Sequence, residues 1–140
     1  MRFSQFSLLS VLILSVNVAK AEDIYVEPGT GTLSAAINNA QSGDTLILTT
    51  GSYVSANDQV IFSKPLTIRA ESAETDAVVR ASILTHSSLT EPLDYIRLQG
   101  ISIAPPHWCF GTYGTKIQVT KLELLQVKAS CNQGEIVNVF

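Results

Sequence analysis

The stretch Tyr95-Ile96-Arg97-Leu98-Gln99-Gly100-Ile101-Ser102-Ile103 is echoed downstream by Lys116-Ile117-Gln118-Val119-Thr120-Lys121-Leu122-Glu123-Leu124. Ile96, Leu98, Ile101 and Ile103 recur as Ile117, Val119, Leu122 and Leu124, four apolar positions that share the single spacing i, i+21. Earlier in the chain, Leu46 and Leu48 return at i+20 as Leu66 and Ile68. Apolar and polar residues alternate within these stretches, the period of a strand whose successive side chains point to opposite faces. A strand-built unit of this length cannot enclose its own apolar face and must stack on its neighbours, which predicts a β-solenoid. A β-sandwich of similar strand spacing is the alternative. Sandwiches pair hairpins through two-residue Asn-Gly or Asp-Gly turns, and the sequence contains neither dipeptide. The offsets predict Leu46 in line with Leu66 and Ile96 beneath Ile117.

Upstream of the repeat, Leu33, Ala36, Ile37 and Ala40 fall on one helical stripe, which predicts a short amphipathic helix over 33–41. Thr32 is placed to cap its start and Gly43 lies just past its end. The chain has 140 residues, 46% hydrophobic and 15% charged, which fits one globular domain and excludes a disordered chain. A formal net charge of -3 removes the general attraction to phosphate on which nucleic-acid binding depends, so no nucleic-acid partner is expected.

The amino terminus has its own logic. Arg2 precedes an apolar run from Leu8 to Val18, which is short of the roughly twenty residues that span a bilayer. Ala19-Lys20-Ala21 offers small residues at the alternate positions a signal peptidase accepts. Residues 1–21 therefore read as a signal peptide and 22–140 as the domain, with Glu22 its first residue. Losing Arg2 and Lys20 takes the net charge from -3 to -5. The expected location is periplasmic or secreted, with no membrane span after cleavage.

Three segments carry a resemblance. Ser42-Gly43-Asp44-Thr45-Leu46-Ile47-Leu48, Gly51-Ser52-Tyr53 and Lys64-Pro65-Leu66-Thr67-Ile68-Arg69-Ala70-Glu71 together resemble the amino-terminal region of right-handed parallel β-helix proteins of the pectin lyase-like superfamily. The likeness is greatest to chondroitinase B-like and alginate lyases, and it covers about residues 23 to 105, including the Tyr95 to Ile101 strand. It implies an all-β, right-handed parallel β-helix of about four coils with a short N-terminal capping α-helix. It also implies an exported, polysaccharide-directed role. In such lyases the base and metal ligands lie on later coils, so the resemblance brings no catalytic residue, metal or cofactor to this chain.

Within that frame, Cys109 and Cys131 stand at i and i+22, one coil apart, and are expected to form a disulfide in an oxidising compartment. Alternation places Ile47, Thr67, Arg97 and Gln118 in one outward column, and Thr49, Arg69, Gln99 and Thr120 in the next. Arg69 and Arg97 then become diagonal neighbours, spaced to grip successive acidic groups of a polysaccharide. His107-Trp108, after Pro105-Pro106 and close to Phe110 and Tyr113, offers a stacking platform for a sugar ring. His86 reads as a solvated loop residue. The outward columns so drawn hold no Asp or Glu, hence no base for β-elimination and no calcium ligands. The expectation is a non-catalytic polysaccharide-binding module or a remnant of a lyase-like protein. Two alternatives stand beside it. One is an envelope or surface protein that recruits a partner through an open C-terminal edge at Ile136 to Phe140; the other is a lyase completed by further coils or a partner.

Overall fold

Short aliphatic segments bounded by Gly, Pro, Ser and Asn favour strands with turns between them. The computed structural model describes residues 20–112 and 116–131. They form β1 (Asp23–Val26), β2 (Gly29–Thr30), α1 (Thr32–Asn39), β3 (Thr45–Leu48), β4 (Gly51–Phe62), β5 (Leu66–Ala70), β6 (Ala77–Thr85), β7 (Leu93–Gln99), β8 (Ser102–Ile103), β9 (Val119–Leu125) and β10 (Lys128–Ala129). Odd-numbered strands make one sheet in the order β1-β3-β5-β7-β9, and even-numbered strands make the other. All the pairs within them are parallel. The chain thus alternates between two facing sheets as it winds through about four turns, a parallel β-helix.

Stacked apolar side chains fill the space between the sheets. Ile24, Leu46, Ile68, Leu98 and Leu124 occupy one column, each opposite the next in the ladder. Leu66, Ile96 and Leu122 form a second. Leu46, Leu66, Ile68, Ile96 and Leu98 are fully buried. The even-numbered sheet adds Tyr53, Val79 and Ile103, mutually in register, with Val60, Phe62 and Ile83.

The register differs from the one the offsets predict. Leu46 lies opposite Ile68, not Leu66, a shift of two positions that keeps every side chain on its expected face. Ile96 lies opposite Leu122, not Ile117. The spacing i, i+21 matches Ile101 and Ile103 at one corner of the coil with Leu122 and Leu124 of the odd-numbered sheet. Both strands of a coil carry apolar residues two apart, so hydrophobic spacing alone does not distinguish them. The true ladder offset here is 26, because the segment between β8 and β9 is longer than a minimal turn.

Polar groups close the first coil. Leu33, Ile37 and Ala40, on and just after α1, join the buried cluster, and the helix packs against β1, β2 and β4. Gly31, in the left-handed region at φ 78, is the N-cap, and Thr32 is the first helical residue rather than the cap. At the other end, Lys64 Nζ donates to the carbonyls of Ala40 (2.5 Å) and Asn38 (3.1 Å), a cation on the helix's negative pole. Gly43, at φ 91, forms the turn into β3 rather than the helix cap, and its N–H donates to Pro65 O of the next coil. Tyr53 donates its buried hydroxyl to Val26 O at 2.7 Å, and burial raises its pKa above the usual tyrosine value.

Cys109 and Cys131 are joined by a disulfide with Cα atoms 5.4 Å apart. Cys109 is fully buried beside Phe110, which bridges to Ile83. The bond ties the segment after β8 to the end of β10, one coil further on. Most of the expected signal peptide, Tyr113, and the segment Ile136 to Phe140 lie outside the described residues. No helix among the described residues is long and apolar enough to cross a membrane.

Two expectations test this packing. Leu98→Ala, which empties the centre of a column, lowers unfolding free energy by about 2–5 kcal/mol in urea titration without changing the baseline far-ultraviolet spectrum. Replacing both cysteines with serine lowers it by about 3 kcal/mol, the chain-entropy value for a loop of this size, as read from the same titration under non-reducing conditions.

Candidate functional site

The outward faces of the two sheets each hold part of the predicted site. On the odd-numbered sheet, Thr45, Thr67, Arg97 and Glu123 form one column, and Ile47, Arg69, Gln99 and Leu125 the next. Arg69 and Arg97 are diagonal neighbours on β5 and β7, as expected. Their columns are otherwise composed. Arg97 faces Glu123 where Gln118 was expected, and Arg69 lies beside Ile47 rather than Thr49. An acidic side chain therefore does stand in the outward columns. An offset of 21 hides it, because that offset places β9 out of register.

Glu123 changes what Arg97 can do. Arg97 Nε donates to Glu123 Oε2, and Lys121 Nζ lies 2.5 Å from Glu123 Oε1. The Arg97 guanidinium also sits over the Tyr95 ring, 5.5 Å from its centroid. Hydrogen bonds from Lys121 and then Arg97 hold the Glu123 carboxyl below its ordinary pKa, while the bond to Glu123 raises that of Arg97. Arg69 turns along its own strand and donates to the Ala70 carbonyl at 3.1 Å. Two other outward positions, Ile47 and Thr67, are only 1% and 7% exposed, so this face is not the open solvated surface that alternation implies.

His107 and Trp108 are elsewhere, on the loop after β8, beside the even-numbered sheet. The register of β4 against β6 shifts between Val54 and Gln59, a bulge in which Asp58 takes a left-handed conformation at φ 53. Such bulges re-aim side chains, and Asp tolerates this region better than most residues. Asp58, Gln59, Ser82, His107, Trp108 and Thr112 line a cleft of about 420 Å³. Asp58 also lines a neighbouring cleft of about 520 Å³ with Arg80, Pro105, Pro106 and Ser130. One carboxylate therefore borders two depressions, an aromatic one and a basic one. His107, Asp58 and Arg80 are exposed, and Trp108 is half-buried.

Asp58 and Arg80 are not among the residues that the sequence singles out for the site. A signal for Asp58 exists, since Ser55-Ala56-Asn57-Asp58 interrupts an otherwise apolar strand with turn-forming residues. His86 is exposed, as expected, and its Nδ1 accepts from the Ser88 backbone N–H at 3.1 Å. Among the described residues no group of three or more His, Cys, Asp or Glu is placed to hold a metal ion.

The Glu123 cluster has a pH signature. Because its native pKa is lowered from 4.5, the stability it contributes is present above that value and is lost as pH falls through the native pKa. Glu123→Gln should therefore lower stability at pH 7, with the deficit shrinking toward zero in acid unfolding series. A deficit independent of pH assigns the effect to packing.

No protein-family model and no curated protein sequence matches this chain. Among solved structures, the fold is similar to that of the PL6 family alginate lyase AlyGC, with a TM-score of 0.60 and 25% sequence identity over 79% of this chain. The chain spans 16% of that lyase's length. The fold is thus that of a polysaccharide-lyase β-helix; the comparison reaches alginate lyases and not the chondroitinase B-like part of the resemblance.

Proposed function

We propose that this protein is an exported, non-catalytic polysaccharide-binding module whose principal contact is the pair of clefts flanking Asp58. The grouping of Trp108, His107, Asp58 and Arg80 around adjoining depressions carries the reading. A sugar ring offers an apolar face to an aromatic plane and hydroxyls to surrounding acceptors and donors. The cleft beside Trp108 supplies the plane, with Asp58, Gln59, Ser82 and Thr112 as polar partners. Arg80 in the adjoining cleft supplies a cation for the carboxylate of a neighbouring uronate. The likeness to an alginate lyase supports alginate as the first ligand to try.

Arg69 and Arg97 form a secondary acidic-polymer contact. An incoming carboxylate must compete with Glu123 for Arg97, which makes this face the weaker one. β-Elimination on a uronate needs a positioned base and a group that neutralises the substrate carboxylate. Arg80 meets the second requirement, and Asp58 and His107 border the same clefts, so formation of an unsaturated product is the measurement that separates binding from elimination.

The experiment is retention on immobilised alginate, with a neutral polysaccharide in parallel. Trp108→Ala and Arg80→Ser should each weaken retention at least about tenfold, the effect of one good contact of about 1.4 kcal/mol. The double variant Arg69→Ser/Arg97→Ser should weaken it less. Unchanged retention in the Trp108 variant, or none in the wild type, removes the proposal. Ultraviolet absorbance from an unsaturated uronate product on incubation with alginate would overturn its non-catalytic half.

A further inference from the structure

Among the described residues, the first with a backbone hydrogen bond into the fold is Glu22, the residue that removal of the expected leader would expose. Glu22 N–H donates to Asp44 Oδ1 at 2.9 Å, and Glu22 O accepts from Thr45 N at 2.8 Å. β1 begins at the next residue. Lys20 and Ala21 are exposed and precede the strand. Asp44 is 2% exposed, and its second oxygen accepts from Gln41 N–H at 2.7 Å. Neither ion pair described above includes Asp44. A shielded carboxylate served by two neutral amides is incompletely compensated, since burying an anion is costly unless a cation answers it.

We infer that cleavage between Ala21 and Glu22 creates that cation, so that the new α-ammonium of Glu22 pairs with Asp44 and locks the first coil of the mature protein. The step is a peptide hydrolysis: water adds across the Ala21–Glu22 bond, leaving a carboxylate on Ala21 and an ammonium on Glu22 at neutral pH. No backbone movement is needed, because the nitrogen already lies within hydrogen-bond distance of Asp44 Oδ1. Before cleavage that nitrogen is a neutral amide. Afterwards the same contact is charge-assisted, the stronger kind of hydrogen bond. Asp44 also holds the end of α1 through Gln41 and, through its carbonyl, accepts from Thr67 N of the next coil. Asp44 therefore joins β1 and the helix end through its carboxylate and the next coil through its carbonyl, and the precursor is less tightly closed at this end than the mature chain. This inference rests on the leader reading and is independent of the proposed ligand.

The test compares the chain beginning at Glu22, released from a fusion by a protease that leaves no extra residue, with the same chain carrying an Ala-Ala extension. A third form has its Glu22 amine acetylated, which keeps one N–H but replaces the ammonium with a neutral amide of the kind present before cleavage. The native start should melt about 4 °C or more above both other forms. That gap should close in Asp44→Asn, the double-mutant signature of a direct interaction. Equal melting of the free and acetylated forms overturns the pairing, and it does so even if the Asp44 variant fails to fold. Mass spectrometry of protein exported from the full-length chain should find Glu22 first. A different first residue overturns the cleavage assignment, while the melting comparison separately reports on the pair.

Discussion

The structure depends on residues of successive coils lying directly above one another in parallel register. Ile24, Leu46, Ile68, Leu98 and Leu124 touch only because each coil returns the chain to the same lateral position. The hydrophobic gain of each side chain is thus realised by its neighbours above and below, not by its own coil. Such an arrangement constrains inward positions severely and leaves turn lengths free. The ladder offset is 22 between β3 and β5, 30 between β5 and β7, and 26 between β7 and β9, with no break in the column. The extra residues are absorbed in the turns and in the bulge of β4.

That freedom creates the candidate site. The bulge at Asp58 and the loop carrying His107 and Trp108 are both departures from the regular coil, and they meet beside the even-numbered sheet. The disulfide at Cys109 anchors the second of these departures next to Trp108, so the loop is held without belonging to a strand. Rigid coils thus position irregular segments, the usual division of labour between scaffold and site.

The amino-terminal end follows the opposite rule, with Lys64, Asp44 and Tyr53 used to close the core. Lys64 answers the carbonyl end of α1 from one coil below, while Asp44 gathers the amides of Gln41 and Glu22. The Gly-Asp-Thr and Lys-Pro segments are therefore physical fasteners of the first two coils. Gly51 belongs with them, since a Cβ there would lie 2.6 Å from Pro28 Cβ, so only glycine admits the close approach between coils.

The amino-acid sequence by itself determined the solenoid class, the short helix over the first coil, the alternation of inward and outward positions, and the cysteine pair. Each is written in local periodicity or in spacing close to one coil. Tertiary structure alone decided which strand lies on which. Leu122 and Ile117 are equally apolar candidates for the place beneath Ile96, and the choice depends on how much chain the preceding loop consumes. From that choice follow the Arg97–Glu123 pair, invisible at an offset of 21, and the separation of Arg97, on the odd-numbered sheet, from Trp108, on a loop beside the other sheet. The juxtaposition of Asp58 with Trp108 has the same origin, because loops from different coils meet through the stacking of the whole chain and leave no periodic trace in either segment.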